Sequence, residues 1–97
     1  MVYFDYNATT PPDVEVARHA GEAAARAWAN PSSIHRAGRE ARDVLDDARY
    51  RMAQLWKCKP SEVVFTSGGT ESANLAVMGA ARLGRERGRH LVVSSVE

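Results

Sequence analysis

This 97-residue chain lacks several features that are typical of particular cellular compartments and binding partners. Its single cysteine, Cys58, excludes an intramolecular disulfide and fits a reducing compartment. Thirteen basic and twelve acidic side chains give a net charge of +1, so nothing argues for a nucleic acid or an anionic membrane as partner. The chain also lacks an apolar run of membrane-spanning length, and its first residues do not resemble a signal peptide. We therefore expect a cytoplasmic protein.

Common nucleotide and metal motifs are missing as well. The sequence contains neither Gly-x-x-x-x-Gly-Lys-Ser/Thr nor Gly-x-Gly-x-x-Gly, which disfavours a P-loop nucleotide and a Rossmann dinucleotide. Three scattered histidines and one cysteine show no metal-ligand spacing, so we expect no metal. Cys58 lies in a turn without an identified base and is a poor candidate for a nucleophile.

The most informative stretch runs from residue 63 to residue 74. Its first four residues are apolar, β-branched or aromatic and predict a short buried strand. Gly68 and Gly69 follow, and a helical pattern begins at once, so unpaired N–H groups should meet at a helix start. Such a start binds anions, phosphate above all, and Thr70 would add a hydroxyl donor. A tight strand-to-helix turn with no ligand remains the alternative.

Two helices are expected before this stretch. The first runs from about Asp13 to Trp28, with Thr10 and Asp13 spaced as at a helix start. The second runs from about Ile34 to Trp56, with Ser32 or Ser33 as its cap. The charged side chains between positions 39 and 51 mostly occupy its polar face, and we interpret them as a solvated surface with i,i+4 pairs.

The second half of the chain predicts an α/β fold. An apolar helix follows the glycine turn, and residues 90–96 form a second candidate strand. Residues 2–7 are also of strand type. Strand, helix and strand in this order predict a mostly parallel sheet. Since two buried parallel strands need further strands beside them, we expect the domain to be incomplete and the chain to be the front of a larger protein.

Three motifs in register resemble a known family. They are Asp5-Tyr6-Asn7-Ala8-Thr9-Thr10-Pro11, Asn30-Pro31-Ser32-Ser33-Ile34-His35 with Gly38-Arg39, and residues 65–74. Together they resemble the N-terminal quarter of pyridoxal-phosphate-dependent cysteine desulfurases of the iron–sulfur cluster type, in the class V aminotransferase group. The resemblance implies the large domain of a fold-type-I transferase. Residues 1–12 would be an N-terminal arm, and residues 13–97 the first part of the cofactor-binding domain.

The resemblance also implies roles for individual residues. Gly69 and Thr70, and more weakly Gly68, would hold the 5′-phosphate of pyridoxal phosphate. Asn7 and Ala8 would approach the substrate side of the pocket. His35 would lie near the active-site entrance or a subunit contact.

The resemblance places the chemistry itself outside this chain. In such enzymes a lysine binds the cofactor covalently, and a cysteine on a mobile loop takes sulfur from L-cysteine as a persulfide, leaving L-alanine. The sulfur then passes to an acceptor protein. We therefore expect a homodimeric parent enzyme, no catalytic residue within these 97 residues, and no activity of the segment alone.

Three readings of function stay open at this point. The parent protein is a cysteine desulfurase, or it is a class V relative such as a selenocysteine lyase or an aminotransferase. In the third reading the chain is a stand-alone, non-catalytic module that binds a phosphate or a partner. The cysteine loop that would discriminate the first two lies outside the sequence.

Overall fold

The computed structural model describes residues 1–95, so Val96 and Glu97 lie outside the described part. Three α-helices and one short 3₁₀ helix follow one another along the chain. Helix α1 spans Val14–Arg26, α2 spans Arg36–Trp56, the 3₁₀ helix spans Pro60–Glu62, and α3 spans Gly69–Leu83. The chain divides into two compact units, Met1–Val63 and Val64–Glu97. Each unit is described by itself.

Helix α1 begins where the sequence predicts, but with a different cap. The Asp13 carboxylate accepts hydrogen bonds from the N–H groups of Glu15 at 2.8 Å and Val16 at 3.4 Å. Thr10 is not the cap, because Pro12 disfavours a helical conformation for the residue before it. The helix ends at Arg26, two residues earlier than predicted, and none of its residues is buried. Helix α1 therefore adds no buried residue to the core of the first unit.

Helix α2 carries most of the small core of the first unit. Its buried residues are Gly38, Ala41 and Ala53. Larger apolar side chains near the end of α2 are exposed, since Leu55 and Trp56 are 73% and 71% exposed. The periodicity thus predicted the helix correctly, but its apolar face is only partly covered within the first unit.

The C-terminal end of α2 is fixed by a left-handed residue. Lys57 has φ 54° and ψ 41°, and its N–H reaches the carbonyl oxygens of Ala53 and Gln54. The Cys58 N–H donates to the Ala53 carbonyl at 3.0 Å, which closes the helix with a Schellman-type pair of bonds. The 3₁₀ helix packs back against α2 here. Ala53 is fully buried.

The predicted strands are not formed in the part of the chain from residue 1 to residue 95. Residues 2–7 lead into a turn at 6–8, and Val63 is extended, with φ −94° and ψ 119°, without belonging to a sheet. An extended segment becomes a strand only through a ladder of hydrogen bonds to a neighbour, and no such ladder forms among these residues. The second predicted strand, 90–96, lies partly outside the described residues. The parallel sheet therefore remains unconfirmed.

Helix α3 is apolar on most of its surface but buries no residue. Leu75, Val77 and Met78 are each about half exposed, and Leu83 is 90% exposed. The sequence predicted this apolar helix, but no residue of the second unit within 64–95 covers it. No helix among residues 1–95 combines the length and apolar character needed to span a membrane.

Candidate functional site

The turn into α3 is built around an extended glycine. Gly68 is the N-cap residue, with φ 167° and ψ −177°, and Gly69 is the first residue of the helix. Because this φ is extended, the backbone conformation at Gly68 does not itself require glycine. A Cβ at Gly68 or Gly69 would meet no heavy atom within 4 Å. The two glycines therefore leave the outer face of the turn free of side chains.

A carboxylate clamps the residue before the turn. Oε2 of Glu71 accepts hydrogen bonds from the Ser67 N–H at 2.7 Å and from the Ser67 hydroxyl at 2.6 Å. The hydroxyl first, and then the backbone N–H, hold the pKa of the exposed Glu71 carboxyl below its usual value. The geometry is that of one half of a capping box, shifted by one residue. The clamp fixes the entry into α3 without using the helix-start N–H groups.

Two hydroxyls brace the turn from the other side. Oγ1 of Thr66 and Oγ of Ser72 lie 2.5 Å apart. Each is also within hydrogen-bonding distance of the Gly68 carbonyl oxygen, at 3.2 Å and 3.1 Å. The Ser72 N–H donates to the same oxygen at 3.1 Å, as the first intrahelical bond. These contacts occupy the carbonyl oxygen of Gly68 and do not involve the N–H groups of the first helical turn.

The open donors are the N–H groups of Gly69, Thr70 and Glu71. None of them has an acceptor within residues 1–95, as expected for the first turn of a helix. Thr70 is exposed and is the second helical residue, and its hydroxyl makes no hydrogen bond in this part of the chain. Since Gly68 holds the cap position, Thr70 does not cap the helix. Three N–H groups and one hydroxyl are thus available to one anion.

The residue predicted at the pocket entrance, His35, has a structural contact instead. It is the N-cap of α2, and its Nδ1 accepts a hydrogen bond from the Gly38 N–H at 3.2 Å. The predicted caps, Ser32 and Ser33, belong to the preceding turn, where the Ser33 N–H donates to the Asn30 carbonyl at 3.0 Å. As an acceptor, Nδ1 is unprotonated, so a neutral His35 carries its proton on Nε2.

Two arginines that we interpreted as solvated surface hold this turn in place. Nε of Arg42 donates to the Pro31 carbonyl at 2.8 Å, and Nη1 of Arg39 donates to the Ile34 carbonyl at 2.7 Å. Of the expected i,i+4 pairs, Arg51 with Asp47 forms at 2.8 Å, and Arg49 pairs with Asp46 at 2.6 Å at i,i+3 spacing instead. Sequence spacing finds helical i,i+4 pairs but not bonds to the carbonyls of a preceding turn.

Asn7 and Ala8 lie together in a turn of the N-terminal arm. The N–H groups of Ala8 and Thr9 donate to the Asp5 carbonyl at 3.1 Å and 3.3 Å. The Tyr3 hydroxyl lies within hydrogen-bonding distance of the carbonyl oxygens of Asp5 and Thr9, at 3.0 Å and 3.1 Å, and can donate to either one, which closes the arm on itself. This arm and His35 belong to the first unit, whereas Gly68, Gly69 and Thr70 belong to the second. Their assembly into one pocket therefore stays a prediction.

Within residues 1–95 no group of three His, Cys, Asp or Glu side chains is arranged to hold a metal ion. The start of α3 has instead the donor set of a phosphate site, because its free groups are N–H and O–H donors at the positive end of a helix. No Cβ of Gly68 or Gly69 stands in the way of a close approach. The described residues thus fit the phosphate of pyridoxal phosphate.

Comparison with known proteins gives consistent matches. The model of the aminotransferase class-V family matches residues 2–97. The chain is 44% identical over 96 residues to the cysteine desulfurase IscS of Dictyoglomus turgidum, covering 99% of this chain and 24% of that protein. It is 42% identical over 108 residues to the selenocysteine lyase of Xenopus laevis, covering 99% and 25%. It is 50% identical over 76 residues to the selenocysteine lyase of Homo sapiens, covering 78% and 17%. No solved structure matches.

The chain spans about a quarter of the length of the first two of these relatives. The family implies the fold-type-I architecture of pyridoxal-phosphate enzymes, of which these residues form a part. The resemblance noted from the sequence is confirmed, and so is pyridoxal phosphate as the cofactor of the family. This chain belongs to the aminotransferase class-V family.

Proposed function

We propose that the chain is the N-terminal segment of a cysteine desulfurase and supplies the phosphate-binding turn of its cofactor site. The observation that carries the proposal is the start of α3, where the N–H groups of Gly69, Thr70 and Glu71 and the Thr70 hydroxyl are all free. The similarity to the cysteine desulfurase IscS of Dictyoglomus turgidum supports the reaction class. Alone, the segment is expected to be inactive.

In this proposal the chain binds and orients the cofactor. The free N–H groups donate to the phosphate oxygens, and the positive end of α3 favours their charge. Thr70 would add one hydrogen bond from its hydroxyl to the phosphate. When bound, the cofactor supplies an electron sink for cleavage of bonds in an amino acid substrate.

The Ser67–Glu71 clamp keeps a negative side chain from occupying the phosphate position. Its two bonds tie the Glu71 carboxylate to Ser67, on the N-terminal side of the helix start. A carboxylate left free would itself be attracted to the helix N-terminus. We infer that the clamp leaves the donors of the first turn to the phosphate.

The substrate-side and entrance roles remain part of the proposal. Asn7 and Ala8 would approach the amino acid, and His35 would lie at the entrance or at a subunit contact. The exposed apolar side chains of α2 and α3 support a homodimeric parent, because such surface is unfavourable in water. L-cysteine as substrate, a sulfur-acceptor protein as partner and a cytoplasmic location complete the proposal.

A selenocysteine lyase is the second candidate. It is favoured by the 42% and 50% identity to proteins of that name from Xenopus laevis and Homo sapiens. Cysteine and selenocysteine differ only in the atom removed, so one phosphate-binding turn serves both reactions.

A hybrid enzyme tests the proposal. This chain replaces the matching segment of the Dictyoglomus turgidum enzyme, and cofactor absorbance and alanine formation are measured with cysteine and with selenocysteine. We expect bound cofactor and activity toward cysteine. The hybrid carries the cysteine loop of the Dictyoglomus turgidum enzyme, so this experiment tests the phosphate-binding turn that both candidates share and not the choice between them. A folded hybrid without bound cofactor would contradict both and leave the non-catalytic module.

A pair of glycine variants of the hybrid controls for folding. Gly69→Val places a branched side chain where the phosphate approaches, so cofactor binding should be lost. Gly79→Val puts the same side chain inside α3, where a Cβ would also meet nothing within 4 Å. It should retain the cofactor. Equal loss in both variants would remove Gly69 from the site.

A further inference from the structure

A single peptide group at the start of α3 joins a bonded acceptor to a free donor. It consists of the carbonyl of Gly68 and the N–H of Gly69, and its peptide bond is trans. Because a trans peptide is planar, its C=O and N–H bonds point in opposite directions. The contacts that fix the direction of the Gly68 carbonyl therefore also fix the direction of the Gly69 N–H, which is one of the free donors of the turn.

The two glycines would otherwise allow this peptide to flip. A flip changes ψ of Gly68 and φ of Gly69, and glycine populates positive and negative φ about equally. The surroundings offer no obstacle, since even a Cβ at either glycine would meet no heavy atom within 4 Å. A flipped peptide would present its carbonyl oxygen to a bound phosphate, and the negative charges of the two groups would repel each other. The turn thus needs contacts that hold the peptide in one orientation.

Three donors converge on the Gly68 carbonyl oxygen. The Ser72 N–H lies at 3.1 Å, the Ser72 hydroxyl at 3.1 Å and the Thr66 hydroxyl at 3.2 Å. A carbonyl oxygen has two lone pairs, so the N–H takes one and a single hydroxyl takes the other. The two hydroxyl oxygens lie 2.5 Å apart, a distance that requires a proton between them, so the second hydroxyl donates to the first.

This arrangement makes the two hydroxyls interchangeable. Either hydroxyl can fill the second lone pair of the Gly68 oxygen, so the loss of one still leaves two donors on it. The loss of both leaves only the Ser72 N–H, which is the bond that the first turn of any α-helix makes. The hydroxyl pair is thus the additional restraint on a peptide that lies between two glycines.

We propose that Thr66 and Ser72 are positioning residues of the phosphate site. Their hydroxyl pair aims the Gly69 N–H at the phosphate by holding the Gly68 carbonyl. Neither hydroxyl contacts the phosphate, because both bind the carbonyl side of the peptide. The inference rests on the proposed function, since it takes the start of α3 as the site of the cofactor phosphate.

The test compares two ligands of the hybrid enzyme. The apo-protein is titrated with pyridoxal phosphate and with pyridoxal, which lacks the phosphate, and absorbance gives both affinities. Their ratio isolates the contribution of the phosphate, and any change in the folded fraction cancels from it. Thr66→Val with Ser72→Ala removes both hydroxyls and retains the branched shape at position 66. The matched control, Thr66→Ser with Ser72→Ala, retains one hydroxyl.

We expect the variant without hydroxyls to lose about tenfold of the preference for pyridoxal phosphate over pyridoxal, as for one lost hydrogen bond to a charged group. The control and each single variant should lose less than about threefold, because one hydroxyl still fills the second lone pair. Equal losses in the variant without hydroxyls and in the control would overturn the inference, since the hydroxyls would then not be the cause. So would an equal loss of affinity for both ligands, which would mean that the pair only stabilises the fold.

Gly69→Val separates this inference from the proposed function. An unchanged preference in the variant without hydroxyls, beside a lost preference in Gly69→Val, would overturn the inference alone and leave the phosphate site standing. An unchanged preference in Gly69→Val would remove the turn from the phosphate site, and the inference would fall with it.

Discussion

Nε of Arg42 donates a hydrogen bond to the carbonyl oxygen of Pro31 at 2.8 Å, and so joins a side chain of α2 to the turn eleven residues earlier. The same turn lies so close to Gly38 that a Cβ there would sit 2.7 Å from Ser33 Cβ and 2.9 Å from the Asn30 oxygen. Together with the His35 cap, these contacts tie the turn at residues 30–33 to the first turns of α2. The contacts that the structure shows for the Asn-Pro-Ser-Ser-x-His motif are therefore structural ones, between the turn and α2.

The first prediction concerns Gly38→Ala. The added methyl group should push the Asn30–Ser33 turn away from α2, at a cost of about 1–3 kcal/mol. Amide exchange at Ser33 and Gly38 should therefore become faster by roughly 5- to 150-fold. Gly21→Ala is the control, because a Cβ at Gly21 in α1 meets nothing within 4 Å. Equal exchange rates in wild type and Gly38→Ala would show that the turn does not pack tightly.

The second prediction separates the cap from any other role of His35. His35→Ala should lose the acceptor for the Gly38 N–H and destabilise the start of α2 by about 0.5–2 kcal/mol. His35→Asn should retain most of the stability of the α2 start, since asparagine is a strong capping residue. Hydrogen exchange at Gly38 measures the difference. If His35→Asn is as unstable as His35→Ala, the cap does not stabilise α2.

The helices of the first unit were predictable because their signals are local. Apolar spacing located α2 to within two residues of its observed start, Arg36, and exactly at its end, Trp56. The cap of α2 was mispredicted, since serine is a stronger capping residue than histidine and two serines stood nearby. The cap of α1 is Asp13 and not Thr10, because two prolines separate Thr10 from the helix. The bond from Arg42 to Pro31 could not be predicted, because it depends on how a turn folds back over a helix.

The second unit shows a different limit of sequence reasoning. Gly68, Gly69 and Thr70 were predicted as an anion-binding helix start, and they do form the start of α3. The strand expected before them depends on neighbours that local pattern cannot supply, and it is not formed among residues 1–95. The Ser67–Glu71 clamp was missed, although its spacing is one residue from that of a capping box.

The third prediction follows from the lowered pKa of Glu71. A carboxyl whose pKa is lower in the folded state stabilises the helix start fully above its unfolded-state pKa. That contribution is lost as the pH falls through the lower, folded-state value. Helical circular dichroism of wild type and Glu71→Gln should therefore differ at neutral pH and converge in acid.

Ser67→Ala provides the matched control for this pH dependence. It removes the hydroxyl, the larger cause of the lowered pKa, and retains the backbone N–H. In Ser67→Ala the pKa of Glu71 should be lowered less, so its loss of helix in acid should be smaller than in wild type and occur at a higher pH. A difference between wild type and Glu71→Gln that persists unchanged in acid would mean that the charge of Glu71 does not stabilise α3.

The central claim is that the start of α3 binds the cofactor phosphate, and Thr70→Ala in the hybrid enzyme tests it most directly. Titration of pyridoxal phosphate into the apo-protein, followed by absorbance, gives the affinity. A hydrogen bond to a charged group contributes about 1.5–3 kcal/mol, so Thr70→Ala should weaken binding roughly 10- to 100-fold. Ser72→Ala, whose hydroxyl is already bonded within the turn, should leave the affinity nearly unchanged. Unchanged affinity in Thr70→Ala would contradict the account and remove Thr70 from the site.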